Sequence, residues 1–119
     1  MPSIDLKTPV PGPRSQAVFA ERAKHVAPGP FHTTPIVAER AEGATITDVD
    51  GNTFLDFACG IGVTNLGHCE PSVVAAAKAQ AEKFFHTSIN VVAYEGYVEV
   101  AKRLNARAPG DFAKKTFLA

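Results

Sequence analysis

A chain of 119 residues with 45% hydrophobic and 20% charged residues has ordinary globular composition and is long enough for one domain. Lys+Arg and Asp+Glu each number 12, and a formal net charge of zero argues against a surface built for nucleic acid or anionic lipid. Pro9, Pro11, Pro13 and Arg14 interrupt the first stretch, so no secretory signal is expected, and no apolar run is long enough to span a bilayer.

The first segment, residues 1–34, is proline-rich and poor in apolar residues. It holds one stretch with helical spacing, Arg14 to His25, with Val18, Phe19 and Arg22 near one side, and Pro28-Gly29-Pro30 ends it. This segment is either an arm that lies on another surface or a frayed tail.

The second segment, residues 35–92, opens with three short runs, 35–39, 44–49 and 53–57. The turn signals Glu42-Gly43 and Asp50-Gly51 separate them. Ile46 alternates with Thr45 and Thr47 as in a half-buried strand, and a three-stranded antiparallel meander is predicted. The last run, Thr53 to Phe57, is apolar on both faces and calls for cover on both sides.

A glycine-punctuated loop, Gly60 to His68, follows. Pro71 then suits the first position of a helix predicted over 71–85, with Val73, Val74, Ala77, Ala81, Phe84 and Phe85 at helical spacing. A polar connection, His86 to Asn90, precedes the third segment, residues 93–119. There a helix is predicted over 93–108, with a Glu99–Arg103 pair, a stop at Pro109-Gly110, and a strand beginning near Lys114.

The glycine loop does not match the known phosphate cradles. Asn65 stands where a dinucleotide fingerprint needs glycine, and the Gly-Lys-Ser/Thr ending of a P-loop is missing. A substrate-facing or domain-joining loop is the better reading. Cys59, His68 and Cys69 lack the paired spacing of a metal clamp, so no metal site is expected. The two cysteines read as reduced thiols of a cytoplasmic protein, not as a disulfide framework. No nucleophile elbow surrounds Ser88 or His86, and Lys114-Lys115 reads as a solvated edge.

The run FLDFACGIGVTNLGHCEPSVVAAAKAQAEK resembles the part of class III aminotransferases where a Leu-Asp-Phe-x-x-Gly-Ile strand end leads to a Gly-His-x-x-Pro helix start. The run HTSINVVAYEGYVEVAKRLNARAPGDFAKKTFLA is similar to the 4-aminobutyrate aminotransferase branch, most of all in Pro-Gly-Asp-Phe-Ala-Lys-Lys-Thr. Together the matches cover about residues 31 to 119. The resemblance implies an α/β chain, α+β at this end, forming the N-terminal part of a fold-type I pyridoxal-phosphate transferase: the meander, two helices and the start of the large-domain sheet. It implies a homodimer that moves the amino group of 4-aminobutyrate, or a similar ω-amine, to 2-oxoglutarate. Pyridoxal phosphate supplies the electron sink.

By the same resemblance Ile61 matches an apolar residue that touches substrate, Gly60 and Gly62 match the backbone of its loop, and Asn90 stands where relatives often carry glutamine near the pocket. The composition of the loop also allows Ile61 to be a buried anchor. Gly96 departs from the proline expected after Tyr94-Glu95. The Thr-Gly-Ser-Glu-Ala phosphate loop, the ring-binding aspartate and the Schiff-base lysine are not among these residues, so no catalytic and no cofactor-binding residue is assigned. Two other functions remain open: a truncated, non-catalytic paralogue acting as a binding module, and another ω-aminotransferase of ornithine, acetylornithine or diaminobutyrate type.

Overall fold

A computed structural model describes residues 4–118. It contains two compact units, Met1–Ala76 and Ala77–Ala119, the division falling within one helix. Its elements run α1 (Pro13–His25), β1 (Ala38–Glu42), β2 (Thr45–Asp48), β3 (Thr53–Leu55), a single turn α2 (Cys59–Gly62), α3 (Pro71–Ala81) and α4 (Glu95–Arg107).

The sheet is the predicted antiparallel meander, in the order β1-β2-β3. Its first strand lies further along the chain than the run 35–39. Glu42 pairs with Thr45 across a two-residue turn in which Gly43 has φ +54°, as a tight hairpin requires. Pro35 has no N–H to give a ladder, and the pairing reaches back only to the Val37 carbonyl, which accepts from Val49 at 2.9 Å. The strand also bulges between Ala38 and Arg40. β3 stops at Leu55, because Asp56 turns its carboxylate onto the next backbone amides. Phe57, assigned to the strand by its alternation, is 90% exposed.

Polar contacts fasten the first segment to this sheet. Asp5 and Thr53 exchange backbone hydrogen bonds of 3.0 and 2.7 Å beside β3. The turn between β2 and β3 does the rest. Asp48 Oδ1 accepts the Asn52 N–H at 2.8 Å, and its Oδ2 accepts the Asn52 side-chain amide at 2.9 Å. Asn52 Oδ1, so oriented, accepts the N–H groups of Lys7 and Thr8 at 2.6 and 2.8 Å. Asp50 accepts the N–H groups of Arg14 and Ser15 and the Ser15 hydroxyl at 2.7, 2.8 and 2.6 Å. Those amides open α1, whose own N-cap, Gly12, offers no side chain, so a carboxylate 35 residues away caps the helix. Desolvation pushes Asp50 up, and the Ser15 hydroxyl with the Ser15 and Arg14 amides outweighs it, leaving the carboxyl below its usual range.

The fully buried side chains reflect this. Asn52, Asp48 and Ser15 are all at 0% exposure, and among the described residues no apolar side chain reaches full burial.

α3 begins at Pro71, with the Glu70 carboxylate accepting the Ser72 hydroxyl and the Val73 N–H. It ends at Ala81 and not near 85: the Lys83 amide turns back to the Gln80 carbonyl in a tighter i→i−3 turn, and the Gln80 side-chain amide donates to the Phe84 carbonyl. In the second unit α4 carries the expected Glu99–Arg103 pair at 2.7 Å and stops before Pro109. Phe84, Tyr94 and Tyr97 meet edge to face at 5.7 and 6.2 Å. The residues after Lys114 form no strand among those described. They lie along α4: the Tyr97 hydroxyl accepts the Leu118 N–H at 3.0 Å, and Thr116 donates to Asn105 at 2.7 Å.

Replacing Asn52 by Ala removes the acceptor for two amides and the partner of a buried carboxylate, a loss of about 1–3 kcal/mol. Trypsin should then cut after Lys7 and Arg14 faster than in the parent. An unchanged cleavage pattern would mean that other contacts hold the segment.

Candidate functional site

Ile61, Gly60 and Gly62 come together on α2, and the backbone there is unusual. Cys59, Gly60, Ile61 and Gly62 have φ of 49°, 61°, 62° and 76°, four successive residues in the left-handed region. L-residues enter that region singly and at a cost, and a β-branched residue there is an outlier. The turn is nonetheless closed by hydrogen bonds from Ile61 and Gly62 N–H to the Ala58 carbonyl (2.8 and 3.1 Å) and from Val63 and Thr64 N–H to that of Cys59 (2.7 and 3.0 Å).

The left-handed path carries the Ile61 side chain outward, to 96% exposure. Among the described residues nothing packs over it. Val63 and Leu66 on the same loop are 75% and 73% exposed.

Asp56 and His68 hold the loop at its two ends. Asp56 Oδ1 accepts the N–H groups of Ala58 and Cys59, both at 2.9 Å, and so starts the turn. Asp56 Oδ2 lies 2.6 Å from His68 Nε2, with the two side chains only 7% and 21% exposed. His68 is fixed in turn to the β1–β2 hairpin, its N–H donating to the Gly43 carbonyl at 2.8 Å and its carbonyl accepting from Gly43 at 2.9 Å. Gly67 makes that approach possible: a Cβ on it would meet the Gly43 backbone at 3.1 Å, and its φ is +87°. A groove of about 360 Å³ runs beside the pair, between Gly43-Ala44 and residues 64–67.

Neither Asp56 nor His68 emerges from sequence reasoning as part of the site. Asp56 reads as a strand residue and His68 as a rejected metal ligand. Their separation of 12 residues has no helical or strand periodicity to announce it. Among the described residues no three His, Cys, Asp or Glu side chains cluster closely enough to hold a metal, and Cys59 and Cys69 are free.

Asn90 belongs to the second unit. It sits exposed in a turn where the Val91 and Val92 amides donate to the Ser88 carbonyl at 2.8 and 3.0 Å. Its neighbours Ser88 and Ile89 line an apolar groove of about 640 Å³ with Phe84, Tyr94, Tyr97 and Leu118, while Asn90 is outside that lining.

The family model for aminotransferase class-III matches residues 26–119. The chain belongs to the class-III aminotransferases. It is 45% identical over 104 residues to the 5-aminovalerate aminotransferase of Pseudomonas aeruginosa and, over the same number, to the 4-aminobutyrate aminotransferase of Escherichia coli. Each alignment covers 87% of this chain and 24% of the relative, so the chain spans about a quarter of the length of the curated relatives it matches. A solved acetylornithine aminotransferase from Elizabethkingia anophelis is 29% identical and superposes with a TM-score of 0.70 over 77% of this chain and 24% of that one.

Pyridoxal phosphate is the cofactor of class-III aminotransferases, and the described part of this one does not build a cradle for it. Six of the seven lysines are exposed to solvent. The seventh, Lys114, folds back to the Gly110 carbonyl with its ammonium 4.9 Å from the Phe112 ring centre. No lysine is held in the desolvated pocket that Schiff-base chemistry needs, and among the described residues no helix is long and apolar enough to cross a membrane.

The Asp56 carboxyl is held below its usual range, first by the His68 hydrogen bond and then by the Cys59 amide. A carboxyl lowered on folding stabilises the folded loop above its unfolded value of about 3.9, and that support disappears as pH falls through the lower folded value. The Asp56 carboxyl ¹³C shift should therefore titrate below the ordinary aspartate range, and His68→Ala should move the midpoint up. A midpoint unmoved by His68→Ala would show that the pair is not formed in solution.

Proposed function

We propose that this chain is the N-terminal part of a pyridoxal-phosphate-dependent ω-aminotransferase that takes the amino group of 4-aminobutyrate to 2-oxoglutarate, working as a cytoplasmic homodimer. Ile61, thrust outward on a strained left-handed turn, carries this reading. Unfavourable backbone geometry that exposes a β-branched side chain is kept where the side chain has a task beyond its own unit. Class-III membership and 45% identity to a 4-aminobutyrate aminotransferase support the chemistry. In this reading Ile61 is an apolar wall beside the amine, and Gly60 and Gly62 let the backbone take the left-handed path; Asn90 is a candidate substrate contact of the second unit by the family resemblance alone. The lysine that carries the cofactor and the phosphate cradle lie outside these residues. Equal identity to a 5-aminovalerate aminotransferase makes the next longer ω-amino acid the alternative substrate.

The DNA beyond the codon for Ala119 tests the larger claim. Continuation in frame into a Thr-Gly-Ser-Glu-Ala loop and a later lysine is expected, whereas an immediate stop would favour a non-catalytic binding module. In the intact gene product Ile61→Gln should lower kcat/KM for 4-aminobutyrate about tenfold, the scale at which an apolar pocket responds to a changed side chain. Cofactor absorbance and thermal stability should stay as in the parent. Unchanged kinetics with both 4-aminobutyrate and 5-aminovalerate would remove Ile61 from the amine site.

The 119 residues on their own are expected to be inactive. They show no lysine suited to the cofactor, and Phe57, Phe85 and Phe117 are 90%, 90% and 84% exposed. Purified alone, the chain should give no turnover, no bound-cofactor absorbance, and association through its apolar faces on sizing. A monomer with a sharp cooperative melt, or cofactor-dependent turnover, would contradict this.

A further inference from the structure

The loop from Asp56 to His68 has almost no apolar packing of its own within the described residues. Phe57, Ile61, Val63 and Leu66 are 90%, 96%, 75% and 73% exposed. Hydrogen bonds therefore have to hold a conformation that L-residues disfavour, and most of those bonds are local to the turn. The side-chain tie between the two ends is the Asp56–His68 pair. One oxygen of Asp56 takes the two amides that launch the left-handed turn, and the other meets His68 at 2.6 Å. His68 is anchored by its own backbone to Gly43 in the hairpin, so it transmits the sheet's position to the carboxylate. Asp56 is tied to the same hairpin directly, its N–H donating to the Ala44 carbonyl at 2.9 Å. The pair joins residues 12 positions apart and closes the loop between them, ends together and tip outward.

We propose that Asp56 and His68 are positioning residues that set the Ile61 turn against the amine substrate, an assignment that rests on the aminotransferase reading above. Neither touches substrate. His68 fixes the Asp56 carboxylate, the carboxylate fixes the amides of Ala58 and Cys59, and these fix the direction in which Ile61 leaves the loop. A displacement of about 1 Å at a substrate-positioning group costs up to a hundredfold in rate, so the pair bears on specificity without joining the chemistry.

The test is made on the intact gene product that carries this chain, with His68→Ala, His68→Gln and Asp56→Asn. Glutamine can present an N–H where His68 Nε2 stands, and asparagine keeps the Oδ1 acceptor for the two amides while losing the charge. His68→Ala should lower kcat/KM for 4-aminobutyrate roughly tenfold or more, with cofactor absorbance per subunit near that of the parent. His68→Gln should restore most of the loss, and Asp56→Asn should fall between. A crystal structure of His68→Ala should show Ile61 released from the left-handed region.

Retention of the left-handed turn in His68→Ala, parental kinetics in that variant, or equal impairment in His68→Gln would each overturn the assignment. If His68→Ala does not accumulate as folded protein, parental kcat/KM in Asp56→Asn would overturn it as well. A parent protein that turns over neither 4-aminobutyrate nor 5-aminovalerate would defeat the aminotransferase reading instead, and the Ile61 backbone in the His68 variants would still decide whether the pair holds the turn.

Discussion

The first unit depends on one buried polar turn. Among the described residues the side chains that reach full burial are polar, and apolar ones such as Ile46, Val49 and Phe54 are half-buried. The β2–β3 turn holds the first segment on the sheet by offering acceptors to backbone amides that have none nearby. Asp48 orients Asn52, Asn52 takes the amides of Lys7 and Thr8, and Asp50 takes those that open α1. Buried polar groups are tolerable only when satisfied, and here no buried side-chain nitrogen or oxygen among the described residues lacks a partner. Such a network specifies geometry sharply, because a shifted register would orphan several groups together.

The same physics recurs one strand later. Asp56 follows β3 as Asp50 precedes it, and each spends one carboxylate on two successive amides that begin a helical turn. At α1 the result is an ordinary right-handed helix with basic residues in its last turn. At α2 it is a left-handed turn whose cost is met by glycine at two of four positions and by the pairing of Asp56 with His68. The two carboxylates thus order the two parts of the unit that leave the sheet.

The outward apolar residues complete this picture. Phe57, Ile61, Phe85 and Phe117 are large and exposed, and monomeric proteins rarely leave so much apolar surface bare. The chain spans about a quarter of the length of the relatives it matches. Membership of the class-III aminotransferases gives that surface a context, and the left-handed turn gives it a point of chemical interest.

Local patterns determined much of this from the sequence alone. Glycines after acidic residues mark both hairpin turns, Pro71 marks the start of α3, Pro109 the end of α4, and the Leu-Asp-Phe to Gly-His run points to the family. These are signals whose cause lies within a few residues, where backbone sterics decide. Tertiary structure alone decided the rest. Asp50 reads as a turn residue and is also a helix cap 35 positions away; Asp56 reads as half of a strand alternation and instead ends the strand. Four left-handed residues in a row follow from no propensity of Cys59 or Ile61, and Lys114 to Leu118 keep strand-like composition while lying along α4. For Asp50 and for Lys114 to Leu118 the deciding partner is distant in sequence, and which elements meet in space fixes it. The Asp56 turn is closed by amides two and three residues on, and its distant partner is His68, which no local pattern announces.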